Sequence, residues 1–114
     1  MTTYDDRAKA FETQYAYEAY QQFRLQARRN KLMGRWAAAQ MGLTGPVAED
    51  YVAAVCKTGL AKSGDAAILH KISDDLARCN RTMPEADLAQ RFERLKALAV
   101  RQLQREPLPS TLAL

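Results

Sequence analysis

Between Tyr4 and Arg24 the chain has no leucine, isoleucine, valine or methionine. A segment without aliphatic side chains cannot build a core of its own, although this one carries six aromatics. Other absences narrow the function. No apolar run approaches the roughly 18 to 20 residues that span a bilayer, and Met-Thr-Thr-Tyr-Asp-Asp has neither the basic start nor the apolar stretch of a signal peptide. A cytoplasmic protein is therefore expected. The two cysteines, Cys56 and Cys79, are far apart, there is no Cys-x-x-Cys pair, and His70 is the single histidine. A four-ligand zinc site cannot be assembled from thiols and imidazoles alone, so no metal is expected. The thiols read as small buried residues within helices, with a disulfide or redox pair as the alternative. Phosphate-binding glycine loops of the Gly-x-x-x-x-Gly-Lys-Ser/Thr and Gly-x-Gly-x-x-Gly types are missing. His70 has Asp74 one turn on and no placed nucleophile, which is the pattern of a solvated hydrogen bond rather than a catalytic dyad. The chain is not expected to be an enzyme.

What is present fits one small helical domain of 114 residues, 47% hydrophobic and 26% charged. A net charge of +4 permits an acidic partner. However, basic and acidic residues interleave from Arg7 to Arg105, as on solvated helix faces.

Thr3 followed by Asp6 resembles a capping box, and Asp5 and Asp6 suit the first turn of a helix starting near Tyr4. Leu25, Leu32, Trp36 and Ala39 recur at helical spacing and predict a dry face. Gly34 is an internal weak point, and Gly42 supplies a left-handed stop. A second helix opens at Thr44-Gly45-Pro46, with Glu49 assigned to its first turn, and ends at Gly59. Its stripe is Val47, Tyr51, Val52 and Val55. Ser63-Gly64-Asp65 caps a third, whose Ile68, Leu69, Ile72, Leu76 and Cys79 repeat with helical period up to Asn80. Thr82-Met83-Pro84-Glu85 combines a cap, an early proline and a capping-box glutamate ahead of a fourth helix. The fourth stripe is Leu88, Phe92, Leu95, Leu98, Ala99 and Leu103, running to about Glu106. Pro107 and Pro109 then end helical structure.

The expected architecture is all-α: a four-helix bundle with a long first helix whose N-terminal part is a projecting or partly disordered arm. Residues 1–24 form the arm, 25–106 the bundle and 107–114 a flexible tail. Short linkers at Gly42–Gly45 and Gly59–Gly64 make neighbouring helices antiparallel. The arm's aromatics suit a surface that docks intermittently. The alternative is a helix packed permanently on the bundle.

Two patches invite binding. Arg28, Arg29, Lys31 and Arg35 form the densest basic group, read as the wet side of the helix whose dry side holds Leu32 and Trp36, without the stacking aromatics of a nucleic-acid site. Lys62, Ser63 and Gly64, leading into a helix, could cradle an anion such as a nucleotide phosphate on free amides, or act as a plain capping turn.

Taken together, Asp5-Asp6-Arg7-x-Lys9-Ala10-Phe11-Glu12, Phe23-Arg24, Ala27-Arg28-Arg29-Asn30-Lys31-Leu32-x-Gly34-x-Trp36-Ala37-Ala38 and Met41-Gly42-Leu43 resemble the alphaproteobacterial zeta subunit family, inhibitors of the F-type ATP synthase. The resemblance is close over the first forty-odd residues and looser beyond them. It implies a four-helix bundle whose N-terminal segment inserts into a catalytic interface of the synthase head, among its alpha, beta and gamma subunits, and blocks ATP hydrolysis. Carried over by motif, the inhibitory segment is Tyr4, Asp5, Asp6, Arg7, Lys9, Phe11 and Glu12; the basic group Arg28, Arg29 and Lys31 reads beside it as a secondary charge contact at the mouth of the cleft. The resemblance also implies binding of ADP or ATP without a required cofactor, and a place at the inner face of the plasma membrane when bound to the synthase. A basic helical adaptor for nucleic acid or another acidic partner is the alternative.

Overall fold

The computed structural model describes the backbone of residues 3–106 and the side chains of 6–10 and 12–106. The tail 107–114, the Thr3 cap and the Tyr4, Asp5 and Phe11 side chains lie outside the described residues. Four helices follow in order: α1 (Thr3–Gln40), α2 (Gly45–Thr58), α3 (Gly64–Arg78) and α4 (Glu85–Gln104). The expected all-helical fold with a long first helix is what forms. Among the described residues, no helix is long and apolar enough to cross a membrane.

Helix α1 is the axis of the molecule, packing mainly against α2 and α4, while α3 closes the remaining side. Both short linkers give antiparallel pairs, as expected. Gly34 of α1 meets Val52 and Val55 of α2, and Tyr51 of α2 reaches Asp75 near the end of α3. The core gathers Met33 and Ala37 from α1, Val55 from α2, Ile68, Ile72 and Leu76 from α3, and Leu88 and Phe92 from α4.

The dry face of α1 differs from the expected one by about one residue. Met33, Ala37 and Ala38 are buried, Leu32 and Trp36 are half-covered, and Ala39 is exposed. The cause is packing on two flanks. Gripped from both sides, α1 buries Gly34, Ala37 and Ala38 where backbones approach closely, together with the Met33 side chain, and leaves Leu32 and Trp36 at the rim. Gly34 belongs to this close approach: a Cβ there would lie 3.1 Å from Val52 Cα. It is therefore an inter-helix contact rather than a weak point. Trp36 sits at the margin with the Arg91 guanidinium 5.3 Å above its ring.

The helix ends follow local chemistry with some exchanges of role. Gly42 takes φ 75°, and the Leu43 amide donates back to the Ala38 carbonyl at 2.9 Å, closing α1 with a Schellman turn. Asn80, at φ 58°, does the same for α3. This leaves Cys79 exposed just past the helix instead of in its buried stripe. Thr44 and Ser63 occupy cap positions, yet their side chains make no capping bond. Pro84, not Thr82, is the residue before α4. Glu49 falls beyond the first turn of α2, which holds no acid, and Val47 is 60% exposed because α2 starts past the edge of the core. Of the two thiols expected to be buried, Cys56 is half-buried and Cys79 exposed; both are free.

Candidate functional site

From Asp6 to Ala19 every described side chain of α1 is exposed, and coverage begins only at Tyr20 and Gln21. The arm thus leaves the bundle as a continuation of one unbroken helix. Its exposed part, Asp6 to Ala19, is roughly 20 Å long at 1.5 Å per residue. Local bonds stand in for tertiary ones along it: Thr13 Oγ1 donates to the Lys9 carbonyl at 2.9 Å, Gln14 to Glu18 at 3.2 Å, and Gln21 to the Tyr17 hydroxyl at 3.0 Å. Of the expected inhibitory residues, Asp6, Arg7, Lys9 and Glu12 all stand in water on this arm. Tyr15 is 69% exposed beside them.

The base of the arm is fastened by charge. Arg24 and Arg28 reach across to Glu106, at 3.2 Å and 2.6 Å, just past the end of α4. Arg28 also donates to Gln102 at 2.9 Å. The Arg28 hydrogen bond, aided by the charges of both arginines, holds the Glu106 carboxyl below its usual range against the opposing effect of desolvation. The next residue does something different. Arg29, expected in the wet basic group, is buried. Its two terminal nitrogens grip Asp65 of α3 at 2.6 and 3.2 Å, its Nε donates to Asn30 at 3.1 Å, and its guanidinium lies 4.2 Å from the centre of the Phe92 ring. A bidentate, stacked arginine of this kind is a structural clamp between α1, α3 and α4. Only Lys31 and Arg35 of the basic group remain exposed.

Nothing in the spacing of the sequence links residue 29 to 65, or 28 to 106. The available signal was weaker: an aspartate in the first turn of α3, and the one acid that follows a basic run in α4. Asp75 is a second hub that sequence reasoning missed. It accepts from the Tyr51 hydroxyl at 2.9 Å and Lys71 at 3.1 Å, with Arg78 at 3.7 Å. Burial and the bond to Asp75 push the Tyr51 phenol far up.

His70 pairs with Asp74 at 3.4 Å on an exposed face, the solvated pair that its spacing implies. Lys62 and Ser63 are exposed at the turn before α3, and Gly64 packs against the Gly59 carbonyl. Asp65 already places a carboxylate in that first turn, where it competes with any phosphate for the same helix end. A shallow groove of about 590 Å³ lies between α1 and α2, with Lys31 and Arg35 on one rim and Val52 and Cys56 on the other. Burial pushes the Cys56 thiol up, while Lys31 and Arg35 pull it back. Among the described residues, no three His, Cys, Asp or Glu side chains are grouped to hold a metal.

Against known proteins, a family model described as ATPase inhibitor subunit zeta matches residues 1–102. Searches of curated proteins and of solved structures returned no match.

Proposed function

Because the chain belongs to the ATPase inhibitor subunit zeta family, we propose that it inhibits ATP hydrolysis by the F-type ATP synthase through insertion of the N-terminal arm of α1 into a catalytic interface of the synthase head. Family membership carries the inhibitory role and the synthase as partner. The observation that supports the arm as the working part is its exposure: from Asp6 to Ala19 every described side chain of α1 is exposed.

The physical chemistry suits that use. An arm without leucine, isoleucine, valine or methionine from Tyr4 to Arg24 presents no aliphatic stripe for the bundle to cover, and its exposed aromatics supply large contact areas with few rotors to immobilise. Arg7, Lys9, Asp6 and Glu12 supply both signs of charge for orientation in a cleft. Since arm and bundle share one helix, a force on the arm is borne by the Arg24–Arg28–Glu106 contact and the Arg29–Asp65 clamp. The bundle, with the two shorter extents of the molecule at 26 and 21 Å, is too wide to follow a single helix of about 10 Å. It acts as the stop.

A photo-crosslinking amino acid at Arg7 or Glu12 tests the placement. The expected adducts join both positions to subunits at a catalytic interface of the synthase, while the same probe at Arg94, on the exposed side of α4, gives none there. Adducts from Arg94 alone contradict insertion.

A further inference from the structure

The face of α1 that the bundle covers does not end where the bundle does. Asn30 and Gly34 are buried on that face. Phe23 lies seven residues before Asn30, about 20° round the helix and roughly 10 Å further along it. It is 60% exposed, and Ala16, Ala19 and Ala27 on the same side are exposed with it. Coverage stops at the α2–α3 turn, where Gly59 sits so close to Asn30 that a Cβ there would collide with the asparagine amide. The next residue, Leu60, is 78% exposed. Lys57 and Lys62, exposed on either side of it, make no ion pair among the described residues. The inner corner between arm and bundle therefore presents two large apolar side chains on two elements, a strip of alanines and two free ammonium groups. Single exposed apolar residues are ordinary, but two on elements that touch at Asn30 and Gly59, with exposed lysines beside one of them, mark an interaction surface.

We propose that this corner is a second docking surface for the synthase head, taking an apolar side chain of the head that is flanked by carboxylates. The inference rests on the reading of the arm as the inserted element, because insertion brings this corner against the mouth of the cleft and makes the two surfaces continuous. The alanines leave room beside Phe23 for an incoming side chain, and Lys57 and Lys62 set the sign of the charge that must accompany it. Seating the corner fixes the depth to which the arm enters.

The test is inhibition of ATP hydrolysis by purified synthase, titrated with the intact protein, Phe23→Ser with Leu60→Ser, Lys57→Glu with Lys62→Glu, and a deletion of residues 1–13. The serine pair is expected to raise the half-inhibitory concentration at least tenfold with an unchanged thermal melt. The lysine reversal, which removes no apolar contact, should raise it several-fold and flatten its dependence on salt. Both pairs matching the intact protein within twofold, while the deletion abolishes inhibition, overturns the corner and leaves the arm standing. A deletion that still inhibits overturns the arm and this inference with it.

Discussion

Among single residues, Arg29 illustrates how a charge can be structural. The guanidinium is buried, whereas its partner carboxylate is mostly in water, with side-chain exposures of 8% and 65%. The two halves of the pair are thus unequal. Asp65→Ala strands a buried cation and should cost about 2 kcal/mol, while Arg29→Met leaves a carboxylate that water can solvate and fills the space over Phe92, costing under about 1 kcal/mol. Urea unfolding of the two variants checks the order; an equal or reversed cost contradicts the clamp. The core gives a second comparison. Met33, fully buried, should lose about 2 to 5 kcal/mol on truncation to alanine, and Trp36, half-buried against the edge of the core, about 1 to 2 kcal/mol. Sequence reasoning had placed Trp36 in the dry stripe because it is the largest apolar residue at the right spacing. Periodicity reveals that a face exists, but its phase depends on where the partners sit. In α1 two flanking helices turn Met33, Gly34, Ala37 and Ala38 inward and leave Leu32 and Trp36 at the rim.

The elements themselves were largely legible. Four helices and the Gly42 stop follow from periodicity and turn chemistry, since both are local. The pairing of Arg28 with Glu106 was not, because it joins residues brought together only by the antiparallel return of α4. At this scale Gly34 is informative. Glycine costs a helix about 1 kcal/mol relative to alanine, so Gly34→Ala would ordinarily stabilise. Here the added methyl meets the Val52 backbone at 3.1 Å, and the substitution is expected to yield no gain in melting temperature. A clear gain would show that the two helices can part without cost. The Glu106 contact has a pH signature. Its carboxyl is held below the ordinary value of 4.5, so its contribution is fully present above that value and is lost as the pH falls through the lower folded one. Glu106→Gln should therefore melt below the intact protein at neutral pH and converge with it under acid conditions. A constant gap across that range would assign the effect to something other than the carboxylate.

For the whole molecule, the fold separates a buried bundle from a helix that extends beyond it, giving a longest extent of 66 Å. The exposed stretch from Asp6 to Ala19 is short enough to be marginal as a helix in water, since nucleation is unfavourable and tertiary packing supplies most helical stability. Amide exchange is therefore expected to be fast from Asp6 to Ala19 and slow from Asn30 to Ala38, with protection rising at the arginine anchor. The candidate site was legible here in one respect. The lack of leucine, isoleucine, valine and methionine between Tyr4 and Arg24 marks a segment outside the core; partial coverage starts at Tyr20 and full burial at Arg29. The corner at Phe23 and Leu60 was not, because it pairs one helix with a turn distant in sequence. The central claim is that the arm inhibits and the bundle holds it. It is tested most directly by measuring ATP hydrolysis by the purified synthase with the intact protein and with the protein lacking residues 1–13. The account predicts that the intact protein inhibits, and that the shortened one fails to inhibit at any concentration while keeping nearly the same helical melt. Inhibition retained by the shortened protein would contradict it.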